Sequence, residues 1–380
     1  MHATLDTSRI LVTDDQPDLV DALRLLLKPE GIAVDAVHSP DAALAAVRTT
    51  LFDLVLMDLN YTGDTTSGRE GIDLLEHLHA VDASLPVVVM TGWGSIDLAV
   101  EAMRRGVRDF VQKPWDNTAL LTTLRTEIQE GRERRLKAQR DHRELEEARR
   151  IQRTLLPAVL PQMEGFELAA SWQPASGVGG DCFDAIRFSS HRLGLSIADV
   201  VGKGIPAALL MSNLQAAVRA FSEGAAAPGE VCARVNRLLC GHMVSGRFVT
   251  ACYLRLDCRR HLITCANAGH NPPLLVRASG EVVHLATGGT VLGVFPDLTY
   301  EQHEIEIRRG DRLVLYTDGI TEATAPDGEE YGEERLAAAI TERAGFGAPA
   351  LTAALFEHVL AFADGTLHDD ATIVSVVVAA

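Results

Sequence analysis

Short apolar runs and helical patterns alternate through the first third of the chain, and the apolar runs end on chemistry. Ile10–Val12 stops at Asp14 and Asp15, Asp53–Met57 at Asp58, and Pro86–Met90 at Thr91; Val107–Val111 leads to Lys113 and Pro114. Between them, Leu19–Leu27, Asp41–Arg48, Gly71–Leu78 and Ile96–Arg105 repeat apolar residues every three to four positions, the period of an amphipathic helix. Strands alternating with helices predict a doubly wound parallel α/β sheet. Ligands of such sheets bind beyond the carboxyl ends of the strands, the edge to which Asp14, Asp15, Asp58, Thr91 and Lys113 all fall.

Beyond residue 160 the pattern changes. Strand-like runs dominate at Phe166–Trp172, Asp181–Phe188, Leu193–Asp199, Phe248–Leu256, His261–Asn267, Pro273–Val276, Val282–Leu285, Glu304–Ile307, Arg312–Thr317 and Thr372–Val378. Helical patterns occupy Pro206–Phe221, Pro228–Met243, Glu333–Arg343 and Pro349–Ala363. Long, mostly local strands with two helical pairs predict an α+β fold of antiparallel sheets covered by helices.

The stretch joining these regions continues as a helix through Leu120, Leu121, Leu124 and Ile128, then becomes densely charged without proline until Pro157. Leu145, Ala148, Ile151/Gln152 and Leu155 recur at a 3–4 spacing, as a coiled-coil seam would. The expectation is three parts: an α/β domain over 1–128, a helical or coiled-coil linker over 129–160, and the α+β domain over 161–380. The linker is expected to pair in a homodimer, against the plainer reading of a solvated monomeric spacer.

Charge narrows the partners. The net charge is −17, and only residues 131–160 carry an excess of base, nine Lys/Arg against five Asp/Glu. An acidic chain with mixed charges on its one basic helix is not expected to bind nucleic acid, and a DNA-binding regulator would lack a basic recognition helix. Six cysteines between Cys182 and Cys265 show no metal-binding spacing and read as reduced thiols. No basic-then-apolar leader and no apolar run near the ~18 residues of a membrane span are present, so a cytoplasmic protein with no membrane partner is expected.

The acids of the first domain carry specific chemistry. Crowded carboxylates repel unless a hard cation neutralises them, and oxygen ligands suit Mg²⁺. One of them can then act as a nucleophile toward a phosphoryl group, with Lys113 neutralising the phosphate and Thr91 hydrogen-bonding it. Over nearly its whole length this block resembles the response-regulator receiver family. The resemblance implies a five-stranded sheet, Asp58 as phospho-acceptor, and Asp14 and Asp15 as the acidic pair. It also implies Mg²⁺ held at Asp14, Asp15, Asp58 and the Asn60 carbonyl. Thr91 would be the switch hydroxyl, Phe110 the switch aromatic, and Lys113–Pro114 a cis peptide; the implied partner is a sensor histidine kinase. The loop NYTGDTTSGREG after Asp58 is longer than usual and is similar to a receiver subgroup found on some transcription activators.

In the second domain the apolar run Leu193–Ala198 drives into Asp199, followed by Gly202, Lys203, Gly204 and Pro206. A strand that turns through glycines into a helix presents its terminal carboxylate at a rim. Acids at GGD (179–181), YTDG (316–319) and DDAT (369–372) point to a pocket holding divalent ions. Two such ions need a shared carboxylate and can activate a water toward a phosphoester. No Cys–His or Ser–His–Asp pattern suggests a side-chain nucleophile. His270 reads either as a hydrogen-bonded structural histidine or as a proton donor near the substrate.

The motifs VGGDCFDA (178–185), IADVVGKGIPAALLMS (197–212), FVTACY, ANAGHNPPLL, LGV, VLYTDGITEA (314–323) and DDATIVSV (369–376) resemble, in order, the metal-dependent PPM-type serine/threonine phosphatases. The match is to the bacterial branch that regulates sporulation and stress sigma factors. The resemblance implies a β-sandwich flanked by helices with two Mn²⁺ or Mg²⁺ ions. Asp181 would serve the first ion, Asp199 would bridge, the Val200 carbonyl would reach one ion, and Asp318 and Asp369 would hold the second. Asp370 would stand behind them. The arginine that grips the phosphate in eukaryotic members has no counterpart here, leaving Arg187 and Lys203 as candidates. ARRIQRTLLP (148–157) resembles the helix preceding many such domains. The expected function is a phosphorylation-controlled phosphoserine/phosphothreonine protein phosphatase acting on an anti-sigma-factor antagonist. The alternative is a non-catalytic adaptor with a degenerate phosphatase domain.

Overall fold

The computed structural model describes residues 7–59, 69–92, 101–243 and 246–379. It divides into two compact units, Met1–Arg143 and Glu144–Ala380.

In the first unit five parallel strands lie in the order β2-β1-β3-β4-β5. They are β1 (Ser8–Thr13), β2 (Ile32–Val37), β3 (Leu54–Asp58), β4 (Val87–Thr91) and β5 (Asp109–Gln112). Helices α1 (Pro17–Leu27), α2 (Pro40–Thr49) and α3 (Arg69–Val81) connect them. Side chains alternate across a strand, so Val55, Met57, Val87 and Val89 enter one core while Leu54, Leu56 and Val88 enter the other. That double burial explains why β3 and β4 read as unbroken apolar runs. The edge strand β2 escaped the hydrophobic pattern because only Ile32 in it is buried. The loop 60–68 and residues 96–100 of the expected fourth helix lie outside the described residues; 101–104 are helical.

One continuous helix, α4 (Asn117–Leu155), serves both units. Leu120, Leu124 and Ile128 fill the receiver-side core, and Arg132 clasps Asp53 at 2.8 and 2.9 Å. From Glu144 on it belongs to the second unit. Part of the stripe expected to form a dimer seam packs within this unit instead. A Cβ at Gly177 would stand 2.8 Å from Leu145 Cγ, and Gln152 is buried. Leu136 and Ile151 remain 61% and 56% exposed.

The second unit stacks two sheets. One runs β13-β10-β9-β8-β7, with β14 also pairing β10; its strands are β7 (Cys182–Arg187), β8 (Arg192–Val200), β9 (Val249–Asp257), β10 (Leu262–Ala268), β13 (Gly288–Gly289) and β14 (His303–Glu306). The other runs β12-β11-β15-β16-β6, from β6 (Phe166–Gln173), β11 (Leu274–Val276), β12 (Val282–His284), β15 (Arg312–Tyr316) and β16 (Ala371–Val378). All pairings are antiparallel except β10 with β13. Along β16, Val374, Val376 and Val378 join the core shared with Leu195, Ile197 and Leu254. Ile373 and Val377 join the core under α8 (Gly332–Glu342) and α9 (Ala348–Phe362). Helices α5 (Ile205–Phe221) and α6 (Pro228–Cys240) cover the first sheet. The single turn α7 (Asp318–Thr321) and the two-residue β13 were too short for periodicity to reveal.

Candidate active site

In the first unit the strand ends gather as the pattern predicts. Asp14, Asp58 and Thr91 are buried at the ends of β1, β3 and β4. Lys113 Nζ donates to Asp14 Oδ2 and to Asp58 Oδ2, each at 2.7 Å. Burial alone would lower the lysine pKa, but these two carboxylates overcome that and raise it. The Lys113 amide also donates to the Thr91 carbonyl at 2.7 Å, and the Lys113–Pro114 peptide is cis. Asp15 is partly exposed and Phe110 is 49% exposed. Asn60 lies outside the described residues.

In the second unit the two sheets each supply acids to one place. Asp181 precedes β7 and Asp199 ends β8, while Asp318 opens α7 after β15 and Asp369 precedes β16. Asp181 is fully buried. Its Oδ2 accepts from Thr317 Oγ1 at 2.7 Å and Thr372 Oγ1 at 2.6 Å, both from the opposite sheet. Its Oδ1 is buried without a hydrogen-bond donor. Burial, then the charge of Asp199, push the Asp181 carboxyl well above its usual range. Burial, then Asp318, Asp369 and Asp370, push Asp199 to about 7. Asp318 is raised by burial and by Asp369. Such a group cannot all be ionised without added positive charge.

Glycine makes the approach possible. A Cβ at Gly180 would stand 2.6 Å from the Val200 carbonyl oxygen and 3.3 Å from Asp199 Oδ1, so these two oxygens converge on bare backbone. Asp370 does not join them: its carboxylate accepts from the Ala175 and Gly180 amides at 2.9 and 2.6 Å and so shapes the loop that delivers Asp181. Among the described residues no three His, Cys, Asp or Glu side chains are closed into a ready ligand set. Uncompensated carboxylates repel, and Lys203 Nζ draws Asp369 to itself at 3.1 Å while donating to the His368 carbonyl at 2.6 Å. The chemistry of the donors still fits hard divalent ions: every donor is oxygen, and one buried carboxylate oxygen has no other partner.

The other candidates sort by position. Arg187 is excluded from the site, because it ends β7 six residues beyond Asp181, about 20 Å along the strand. Lys203 stays at the rim. His270 is a structural residue: Asn267 clamps its amide at 2.7 Å and its carbonyl at 2.9 Å, and its Nδ1 meets Thr250 Oγ1 at 2.8 Å. Burial lowers its pKa to about 4, which leaves it neutral near pH 7, without the acidic imidazolium proton. Sequence reasoning missed Thr317 and Thr372, although each sits inside a quoted motif beside an acid. It also missed Arg247, whose guanidinium lies against Gly202.

Residues 189–379 match the family of Stage II sporulation protein E (SpoIIE), and residues 10–125 match the response regulator receiver domain. The phosphoserine phosphatase RsbU of Bacillus subtilis is 32% identical over 234 residues, 61% of this chain and 69% of that protein. The phosphoserine phosphatase RsbP of the same organism is 32% identical over 189 residues, 48% of this chain but only 46% of its own length. A crystal structure of the RsbU and RsbW domains of a Mycobacterium tuberculosis protein superposes with a TM-score of 0.52 at 27% identity, covering 60% of this chain and 63% of that one. The chain belongs to the SpoIIE family, with its matched domain carried behind a response regulator receiver domain.

Proposed function

We propose that this chain is a metal-dependent phosphoserine/phosphothreonine protein phosphatase whose activity is set by phosphorylation of Asp58. One observation carries the reading: a fully buried oxygen of Asp181 has no hydrogen-bond donor, on a carboxyl pushed up by burial and by the charge of Asp199. Asp181, Asp199, the Val200 carbonyl, Asp318 and Asp369 would hold two Mn²⁺ or Mg²⁺ ions, with Asp199 shared between them. When bound, the ions supply Lewis-acid activation of a water and neutralise the phosphoryl group. The protein's own part is to keep the ligands in register. Thr317 and Thr372 fix the face of Asp181, Asp370 fixes its loop, and the β8–β9 ladder carries Asp199 to the rim.

In the receiver, Asp14, Asp15, Asp58 and Asn60 would hold Mg²⁺, a sensor histidine kinase would donate the phosphoryl group, and Lys113, Thr91 and Phe110 would respond to it. Residues 1–128, 129–160 and 161–380 then act as sensor, transmitter and output. The substrate is proposed to be a phosphorylated anti-sigma-factor antagonist in the cytoplasm, as the motif resemblance implies. A homodimer would form through the linker, where Leu136 and Ile151 are exposed. The test is phosphate release from a phosphoserine protein in Mn²⁺, with and without beryllofluoride on Asp58. Turnover that changes with beryllofluoride supports the reading. Tight substrate binding without any turnover would favour the adaptor instead.

A further inference from the structure

The last turns of the linker helix touch the loop that carries Asp181: Leu145 lies against Gly177, and Gln152 makes the hydrogen bonds. Gln152 is 3% exposed on a helix segment whose neighbours Ile151 and Arg153 face solvent. Its Nε2 donates to the Gly179 carbonyl at 2.6 Å, and its Oε1 accepts from the Gly179 amide at 3.1 Å. A glutamine that satisfies both main-chain groups of one residue acts like a rung of β-ladder and fixes that peptide in position and rotation. Gly179 has no room to move away. A Cβ there would stand 2.2 Å from Asp370 Oδ2, and the next amide, Gly180, donates to the same oxygen at 2.6 Å. The loop is therefore held from one side by Asp370 and from the other by Gln152, two residues before Asp181. The same helix end is tied a second time: Gln215 Nε2 on α5 donates to the Leu155 carbonyl at 2.7 Å.

A buried amide with both ends paired is costly to break on one side only, so the loop position and the helix end form one unit. We propose that Gln152 is a positioning residue for the metal-ligand loop, acting through Gly179 on Asp181, so that order in the linker helix and metal affinity are linked. Linkage is reciprocal: whatever orders residues 145–155 tightens metal binding, and metal binding orders the helix end. This rests on the metal-dependent reading above and adds the residue through which the linker reaches the metal.

The test uses the full chain, Gln152→Leu and Gln152→Glu, with Mn²⁺ alone as the calorimetric probe. Leu removes both hydrogen bonds at similar volume; Glu keeps the acceptor and loses the donor. Arg150→Ala is the control, on the same helix with a side chain 77% exposed. The expected result is Mn²⁺ affinity weakened about 10-fold in Gln152→Leu and at least as much in Gln152→Glu, whose carboxylate would face the Gly179 carbonyl, with Arg150→Ala unchanged. The kcat should return to within about twofold of wild type once Mn²⁺ is saturating, which a merely structural defect would not allow. Unchanged Mn²⁺ affinity in both Gln152 variants, or equal weakening in Arg150→Ala, overturns the proposal. Loss of kcat that saturating Mn²⁺ cannot restore also overturns it. A wild-type chain that binds no Mn²⁺ overturns the parent reading and this one together.

Discussion

The receiver pocket holds a lysine among its acids, and among the described residues no lysine pairs with the deepest acids of the phosphatase pocket. Lys113 donates to Asp14 and Asp58 at 2.7 Å each, so those carboxylates are gathered around a charge the chain itself provides. In the phosphatase domain Lys203 pairs with Asp369 at the rim, while Asp181 and Asp199 press on each other and both are pushed toward protonation. The buried His270 is neutral. Identical residue types thus serve two designs. On the proposed reading the receiver would keep an acid ready for a transient phosphoryl group, whereas the second pocket would become a site only when cations arrive from solution.

Removing the shared acid should have the largest effect. Asp199→Asn is expected to lower kcat/KM on a phosphoserine protein in Mn²⁺ at least about 1000-fold, roughly 4 kcal/mol, measured by phosphate release. A loss under tenfold would mean the two pockets are not different in the way described. Next comes the neutral histidine. With a folded pKa of about 4 against an ordinary 6.5, the unfolded chain takes up a proton that the folded chain refuses as pH falls from 6.5 toward 4. Stability is complete above 6.5 and falls by up to about 3 kcal/mol through that window. Urea unfolding at pH 7 and pH 4.5 should show that drop in wild type and a visibly flatter profile in His270→Gln; equal slopes would contradict a neutral His270.

On the receiver side, Lys113→Ala should weaken Mg²⁺-dependent beryllofluoride binding about 10-fold, because the anion loses its resident counter-charge. Binding measured by fluorescence or calorimetry decides it. The smallest effect belongs to the rim: the Lys203–Asp369 pair is half exposed and worth only about 0.5 kcal/mol. Lys203→Met should therefore tighten Mn²⁺ binding two- to threefold by freeing Asp369, and a weakening would give Lys203 a direct role in holding ligand.

Most of the fold was legible because both domains bury both faces of their central strands. Val87–Met90 and Thr372–Val378 read as apolar runs for that reason, and the acids at their ends marked the sites. What escaped was short or half-exposed: β2, with one buried residue, the single turn at Asp318, and the two-residue strand at Gly288. The support of the site was less legible than its ligands. Thr317, Thr372 and Asp370 act on Asp181 from far along the chain, and no local pattern announces a contact between residues 136 or 191 positions apart. Gln152 was visible only as the alternative to Ile151 at one position of the heptad stripe. A polar residue at a seam position was the signal, and its partner, a glycine amide in another segment, could not be seen without the fold. Arg187 falls at the far end of the strand that Asp181 precedes, a separation already readable from the six-residue spacing.

The central claim is that the acids around Asp181 work only with ions from solution. The direct measurement is phosphate release from a phosphoserine protein by the full chain, first in EDTA and then with Mn²⁺ titrated back, with bound metal counted in parallel. The account predicts no turnover in EDTA and activity that rises as two ions bind per phosphatase domain, in wild type but not in Asp199→Asn. Turnover that persists undiminished in EDTA, or that survives in Asp199→Asn, would contradict it.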